Sequence, residues 1–268
     1  MPRRTLKLTI AYDGTAYAGW QRQANAQTIQ QVLEDEIAAI VGMHNPLIGA
    51  GRTDAGVHAA AQVASITLDH PIPADELMRA INARLRGGDI RVRSIEETFD
   101  RFDARTHAKS KTYRYAIWNG PTVSPFIRNV VWHVPARLDL ERMQTATTAL
   151  IGEHDFAAFQ ASGSEVLTTV RTVQSAQLVE VNIHTEEPVA MSPLPEGATH
   201  SDGRLLRFEI TGSGFLRHMV RTIAGTLVDI GRGQMEVEDM VAIIASRDRR
   251  RAGHTAPPNG LMLWKVSY

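Results

Sequence analysis

The chain has 268 residues, 43% hydrophobic and 22% charged, with 29 Lys+Arg against 29 Asp+Glu and no cysteine. A chain of this composition buries a sizeable core, which excludes general disorder; the missing thiols exclude disulfides, cysteine nucleophiles and cysteine-held zinc or iron–sulfur centres. Balanced charge argues against wholesale coating of nucleic acid but leaves room for a local basic groove.

The N-terminal MPRRTLKLTIAYDG is basic, yet its apolar run is short and alternating. No stretch reaches the roughly 18 apolar residues of a membrane span, so a cytoplasmic chain without a membrane partner is expected. TLKLTIAY (5–12) alternates as a strand does. QTIQQVLEDEIAAIVG (27–42) reads as a helix with an apolar stripe of Ile29, Val32, Leu33, Ile37 and Ile40. Thr28 and Gln31 have capping-box spacing, and Gly42 is its expected stop. QVASITLD (62–69) is a second strand, ADELMRAINARLRGG (74–88) a second helix, IRVRSIEE (90–97) a third strand and KTYRYAIWN (111–119) a fourth.

The second half repeats these ingredients. LDLERMQTATTALIG (138–152) is helical with Asp139 as cap, and VQSAQLVEVNI (173–183) with LLRFEITG (205–212) forms a natural hairpin. The segment 184–203, rich in Pro, Gly and acid, reads as a long exposed loop. FLRHMVRTIAGTLVDIG (215–231) has the strongest helical pattern and is expected to place Arg217 and Arg221 on one face, four residues apart. EDMVAIIAS (238–246) is a shorter helix, and LMLWKVSY (261–268) closes as a strand. Helices interspersed with antiparallel-style strands in each half point to an α+β fold. It would have two ferredoxin-like halves sharing a large, mostly antiparallel sheet, with helices on one face and an active-site cleft between the halves. The halves are expected at 1–105 and 106–268.

Familiar site templates fail. GAGRTDAG (49–56) lacks the Gly-Lys-Ser/Thr ending of a phosphate loop, and in GSGFLR (212–217) Arg217 stands where a dinucleotide fingerprint needs glycine. Asp54 and His58 stand four apart but no third ligand has recognisable spacing, so no metal and no cofactor is expected; His58, His154 and His218 read as hydrogen-bonded structural residues. The basic segments are more informative. FDRFDARTHAKSKTYRY (99–115) interleaves Tyr113 and Tyr115 with Arg101, Arg105, Lys109, Lys111 and Arg114, and RDRRR occupies 247–251. A charge run is ordinarily solvated surface; aromatic rings within it tilt the reading toward RNA, where bases stack and cations take phosphates.

In GAGRTDAGVHA (49–59), a lone aspartate in a glycine-rich turn ordinarily caps backbone N–H groups. Small neighbours leave room for a bulky group beside it, and an ionised, positioned carboxylate can serve as nucleophile or general base. No second carboxylate of obvious partnership accompanies it, so two-acid glycosidase chemistry is not indicated.

Seven blocks in order carry a resemblance that covers nearly the whole chain. They are YDGTAYAGWQRQ (12–23), TIQQVLEDEI (28–37), GAGRTDAGVHA (49–59), FDARTHAKSKTYRY (102–115), GEHDFAAFQ (152–160), GFLRHMVRTIAGTLVDIGRG (214–233) and AGHTAPPNGLML (252–263). With these the chain resembles the tRNA pseudouridine synthase A family, RTDAGVHA being the most specific block. The resemblance implies isomerisation of uridine to pseudouridine in the anticodon stem-loop of tRNA, at positions 38, 39 and 40, by a cofactor-free homodimer. It implies Asp54 as catalytic residue, with Tyr113 stacked on the target base and Arg221 paired with Asp54. Arg52 would extrude the nucleotide and fill its place, and Leu261 would line the pocket. Arg217 is expected among the tRNA-binding residues. Met262 departs from the aromatic residue that many relatives carry in the same segment. A silent RNA-binding protein on the same fold, or a metal-dependent hydrolase using Asp54 and His58, is the competing reading.

Overall fold

A computed structural model describes residues 3–161, 163, 166–181 and 203–268. Of the long loop expected at 184–203, all but Gly203 lies outside the described residues. The chain divides into two compact units, one of residues 1–111 with 262–268 and the other of 112–261. Both combine a sheet with helices, as the α+β reading expects.

The first unit contains β1 (Arg4–Tyr12), α1 (Ile29–Val41), β2 (Ile48–Gly49), β3 (His58–Leu68), α2 (Ala74–Arg84) and β4 (Ile90–Thr98). It ends with β10 (Leu261–Ser267), which belongs to it from Met262 onward. The strand order is β4-β1-β3-β10. β1 runs antiparallel to both β3, with Leu8 opposite Ala64, and β4, with Leu8 opposite Ile95. β10 joins β3 in parallel, with Met262 opposite His58. The alternation of β1 is real: Leu6, Leu8, Ile10 and Tyr12 are buried, because successive side chains of a strand face opposite sides of the sheet.

α1 is capped as expected. The Thr28 hydroxyl accepts the Gln31 N–H at 3.3 Å, and Gly42 takes a left-handed φ of 78° as it ends the helix. The buried face differs from the expected stripe: it comprises Ile29, Gln30, Leu33, Glu34, Ile37 and Val41, while Val32 and Ile40 are half-buried. Two polar side chains, Gln30 and Glu34, thus replace two apolar ones on the inward face.

The second unit contains β5 (Ser110–Asn119, within it from Thr112), β6 (Trp132–Val134), α3 (Leu140–Thr148), β7 (Gly152–Asp155) and β8 (Val170–Val181). β9 (Arg204–Gly212), α4 (Met219–Gly231) and α5 (Asp239–Ser246) follow. The order is β5-β9-β8-β7, with β6 beside β5. The expected hairpin is present, Leu178 of β8 facing Phe208 of antiparallel β9. Asp139 caps α3 by accepting the Arg142 N–H at 3.1 Å. Every residue of α4 except Arg221 is buried, the pattern of a core helix rather than of a surface one.

α4 begins later than its sequence pattern. His218 stands before it with φ of 65°, and this left-handed residue breaks the helical path between Phe215 and Met219. Arg217 therefore lies outside the helix, and the expectation that it shares a helical face with Arg221 is corrected.

Candidate functional site

The sequence-predicted residues fall in two clusters, one in each unit. In the first unit Asp54 sits on the loop between β2 and β3, half-buried, with Arg52 exposed and Thr53 buried. The loop is fixed from both sides. The Thr53 carbonyl accepts the Trp20 N–H at 3.0 Å, the Thr53 hydroxyl shares a 2.8 Å bond with the Tyr12 phenol, and the Asp54 carbonyl accepts the Val57 N–H at 3.1 Å. Gln62 Nε2 donates to the Gly51 carbonyl at 2.8 Å. Gly19 has φ of 89°, and a Cβ there would lie 2.4 Å from the Thr53 carbonyl oxygen; only glycine lets the two segments approach so closely. Burial pushes the Tyr12 phenol well above its ordinary range, with hydrogen bonds from Thr53 and Gln62 opposing the shift. Tyr12 is thus a neutral strut under the loop.

Some of the small residues around Asp54 are taken up by the protein itself. Trp20 packs against Gly49, and Ala50 joins a core cluster with Val63, Phe102 and Ala104. Of the remaining small neighbours, Ala55 is exposed and Gly51 and Gly56 are half-buried. His58 is buried at the start of β3, where its Nδ1 accepts the Gly14 N–H at 3.1 Å and lies 3.1 Å from Asp13 Oδ1. Nδ1 accepts from Gly14 when it carries no hydrogen and donates to Asp13 when it does. Burial raises the Asp13 carboxyl, but bonds from the Thr15 hydroxyl and N–H and the charge of His58 outweigh it and leave it below its ordinary value. Among the described residues no three His, Cys, Asp or Glu side chains are grouped to hold a metal ion.

Gln21, which the sequence reading did not single out, holds Arg52: its Oε1 accepts from Arg52 Nε at 3.1 Å. The glutamines of the 21–31 segment resemble ordinary surface polar residues in sequence. Only Gln30 among them lies on the buried face of α1.

In the second unit Tyr113, on β5, is 7% exposed. Its ring stands edge-on to Phe215, with centroids 5.1 Å apart at 83°, a favourable aromatic arrangement. Phe215 was read as the first residue of a helix; it instead precedes the helix and belongs to this ring pair. Arg217 is exposed, and its carbonyl accepts the Ala161 N–H at 3.0 Å. Arg221 Nε donates to the Ala256 carbonyl at 2.8 Å, and the Ala256 N–H donates back to the Arg221 carbonyl at 3.1 Å.

That pair is one rung of a longer attachment between α4 and residues 252–257. The Gly253 N–H donates to the Thr226 hydroxyl at 3.0 Å, Thr222 and Thr255 hydroxyls lie 3.3 Å apart, and His254 Nδ1 lies 3.3 Å from Asp229 Oδ2. Thr222, Gly225, Thr226 and Asp229 share one helical face. A Cβ on Gly225 would stand 1.8 Å from the His254 carbonyl oxygen. Beyond this segment Tyr115 donates to the Pro257 carbonyl at 2.7 Å, and Asn259 Nδ2 donates to the Val131 carbonyl at 2.7 Å. Leu261, 6% exposed, follows directly. The positions of Arg221 and Leu261 therefore rest on one framework.

The basic run 247–251 is largely engaged within the fold. Arg247 pairs with Asp155 at 3.0 Å, and Arg249 bonds the Gly253 carbonyl and the Thr255 hydroxyl, both at 3.0 Å. Arg250 forks onto Asp248, holding that carboxyl down at about 2. Arg251 is exposed.

A family model described as tRNA pseudouridine synthase matches residues 8–105 and 146–268. Three relatives named tRNA pseudouridine synthase A are similar over 99% of this chain. The protein of Citrifermentans bemidjiense is 42% identical over 98% of its own length. Those of Acetivibrio thermocellus and Pelobacter propionicus are 42% and 43% identical, each over its full length. Arg52, Asp54, Arg217, Arg221 and Leu261 lie within the matched ranges, and Tyr113 lies between them.

Proposed function

The chain belongs to the tRNA pseudouridine synthase family, and from that premise we propose that it acts on the anticodon stem-loop through Asp54. The enzyme isomerises uridine in tRNA to pseudouridine. In that reaction the bond from uracil N1 to ribose C1′ breaks, the base turns, and C5 bonds to C1′; C5 gives up its proton and N1 gains one. The reaction is redox-neutral and transfers no group from a second substrate.

In this reading the targets are uridines 38, 39 and 40, and the nucleotide leaves the stack before it reacts, because a stacked base cannot turn. Asp54 acts as nucleophile or base on the sugar or the ring. Tyr113 offers a ring face to the base and a phenol for proton handling. Arg221 is the cation of the site, Arg52 reaches into the vacated stack with its planar guanidinium, and Leu261 lines the pocket. Arg217 contributes a phosphate contact. The enzyme works in the cytoplasm as a homodimer, with tRNA lying across both subunits.

The observation that carries the reading is the RTDAG loop. It presents a half-buried carboxylate on a backbone fixed at Thr53, Asp54 and Gly51, beside an exposed arginine. Incubation of an unmodified tRNA transcript bearing uridine at all three positions, followed by pseudouridine mapping, tests it. Conversion at any of the three supports the site assignment, and conversion confined to other regions of the tRNA overturns it.

A further inference from the structure

Arg52 is exposed, and an exposed arginine ordinarily samples many rotamers. Here it is tied to a directional chain of side-chain amides that begins at a buried carboxylate. Glu34 is 2% exposed on the inward face of α1. Its Oε1 accepts the Leu47 N–H at 2.9 Å and Gln30 Nε2 at 2.9 Å. Its Oε2 lies 3.3 Å from Arg22 Nε and 3.4 Å from His44 Nε2.

This arrangement fixes the direction of every amide beyond it. Gln30 Nε2 faces two acceptors, Glu34 Oε1 and the Leu47 carbonyl at 3.0 Å. Gln30 Oε1 consequently faces outward, where it accepts the Arg22 N–H at 2.9 Å and Gln21 Nε2 at 2.7 Å. A reversed Gln30 amide would set its NH2 against the Arg22 N–H and its oxygen against the carboxylate. With Gln21 Nε2 committed to Gln30, Gln21 Oε1 is the atom left to meet Arg52 Nε, at 3.1 Å. A carboxylate at one end thus fixes an acceptor at the other, through two amides that each have one permitted orientation.

We propose that Gln21, held by Gln30 and Glu34, is a positioning residue that aims the Arg52 guanidinium. The bond uses Nε, leaving the two terminal nitrogens and the flat face of the guanidinium for RNA. The inference rests on the role given to Arg52 above, and it adds the residues that prepare Arg52 before tRNA arrives. Pre-ordering that side chain removes an entropy cost from the step in which it enters the stack.

A double-mutant cycle with Gln21→Met and Arg52→Ala tests it, since methionine keeps the length of glutamine and removes both hydrogen bonds. Single-turnover conversion of tRNA and the melting temperature are measured for the four proteins. Gln21→Met is expected to slow conversion about tenfold in the wild-type background, the scale of one hydrogen bond to a charged group. It is expected to have no further effect once Arg52 is alanine. Gln30→Met, one link further back, is expected to show the same dependence on Arg52. Equal slowing in both backgrounds, or no slowing in the wild-type background, overturns the proposal while leaving the role of Arg52 standing. Conversion at the wild-type rate by Arg52→Ala overturns both.

Discussion

Asp13 shows how a single carboxylate contributes to the base of the site. It orders Thr15 and lies beside the buried His58. Its folded value lies below the ordinary 3.8, so its stabilising effect is complete above that value and is lost as pH falls through the folded one. The stability lost in Asp13→Asn is therefore expected to shrink as pH falls below about 4. Denaturant titrations of both proteins on either side of that pH check this; a difference that grows below it contradicts it. The RTDAG loop stood out in the sequence because a motif carries it. Gln30 and Glu34 did not, because a glutamine and a glutamate on a helix look like its solvated face. Their four-residue spacing lets them bond each other while both face inward, and only the fold reveals that.

At the scale of elements, α4 is the framework of the second unit. Residues 252–257 lie against it so closely that Gly225 has no room for a side chain. Gly225→Ala must push this segment away from the helix. A loss of about 2–3 kcal/mol is expected, the cost of overpacking a site that relaxes poorly, together with reduced catalysis, since Arg221 and Leu261 share the framework. Thermal melting and tRNA conversion check it, and a variant with unchanged melting temperature contradicts it. The long helices and strands were legible because their apolar periods run for two turns or more. β2, β6 and β7 have 2, 3 and 4 residues, too few to display a period. The first residues of β3 were missed because alanines lack strand character. The final strand was readable, but its parallel pairing with β3 was not, since pattern carries no information about a distant partner. The start of α4 was overrun because Phe215 and Leu216 continue its apolar pattern. Residue type signals the left-handed backbone at His218 only weakly.

At the scale of the whole molecule, net charge is zero, so attraction for tRNA depends on individual exposed cations. The structure separates these from cations engaged internally. Arg217→Gln and Arg251→Gln are each expected to weaken tRNA binding and to flatten the dependence of log affinity on log salt by about 1. Arg249→Gln is expected to lower the melting temperature, because its guanidinium holds the backbone at Gly253. Binding titrations at several salt concentrations distinguish the two classes. A salt slope unchanged by both exposed substitutions contradicts this division. The balanced composition was informative about bulk behaviour and silent about which arginines remain available, because pairing depends on the fold.

The central claim is that Asp54 performs the chemistry rather than merely capping its loop. Its most direct test is pseudouridine mapping of tRNA after incubation with Asp54→Asn, with tRNA binding measured on the same protein. The account predicts binding close to wild type and no pseudouridine at positions 38, 39 or 40. Conversion at the wild-type rate by Asp54→Asn would contradict it.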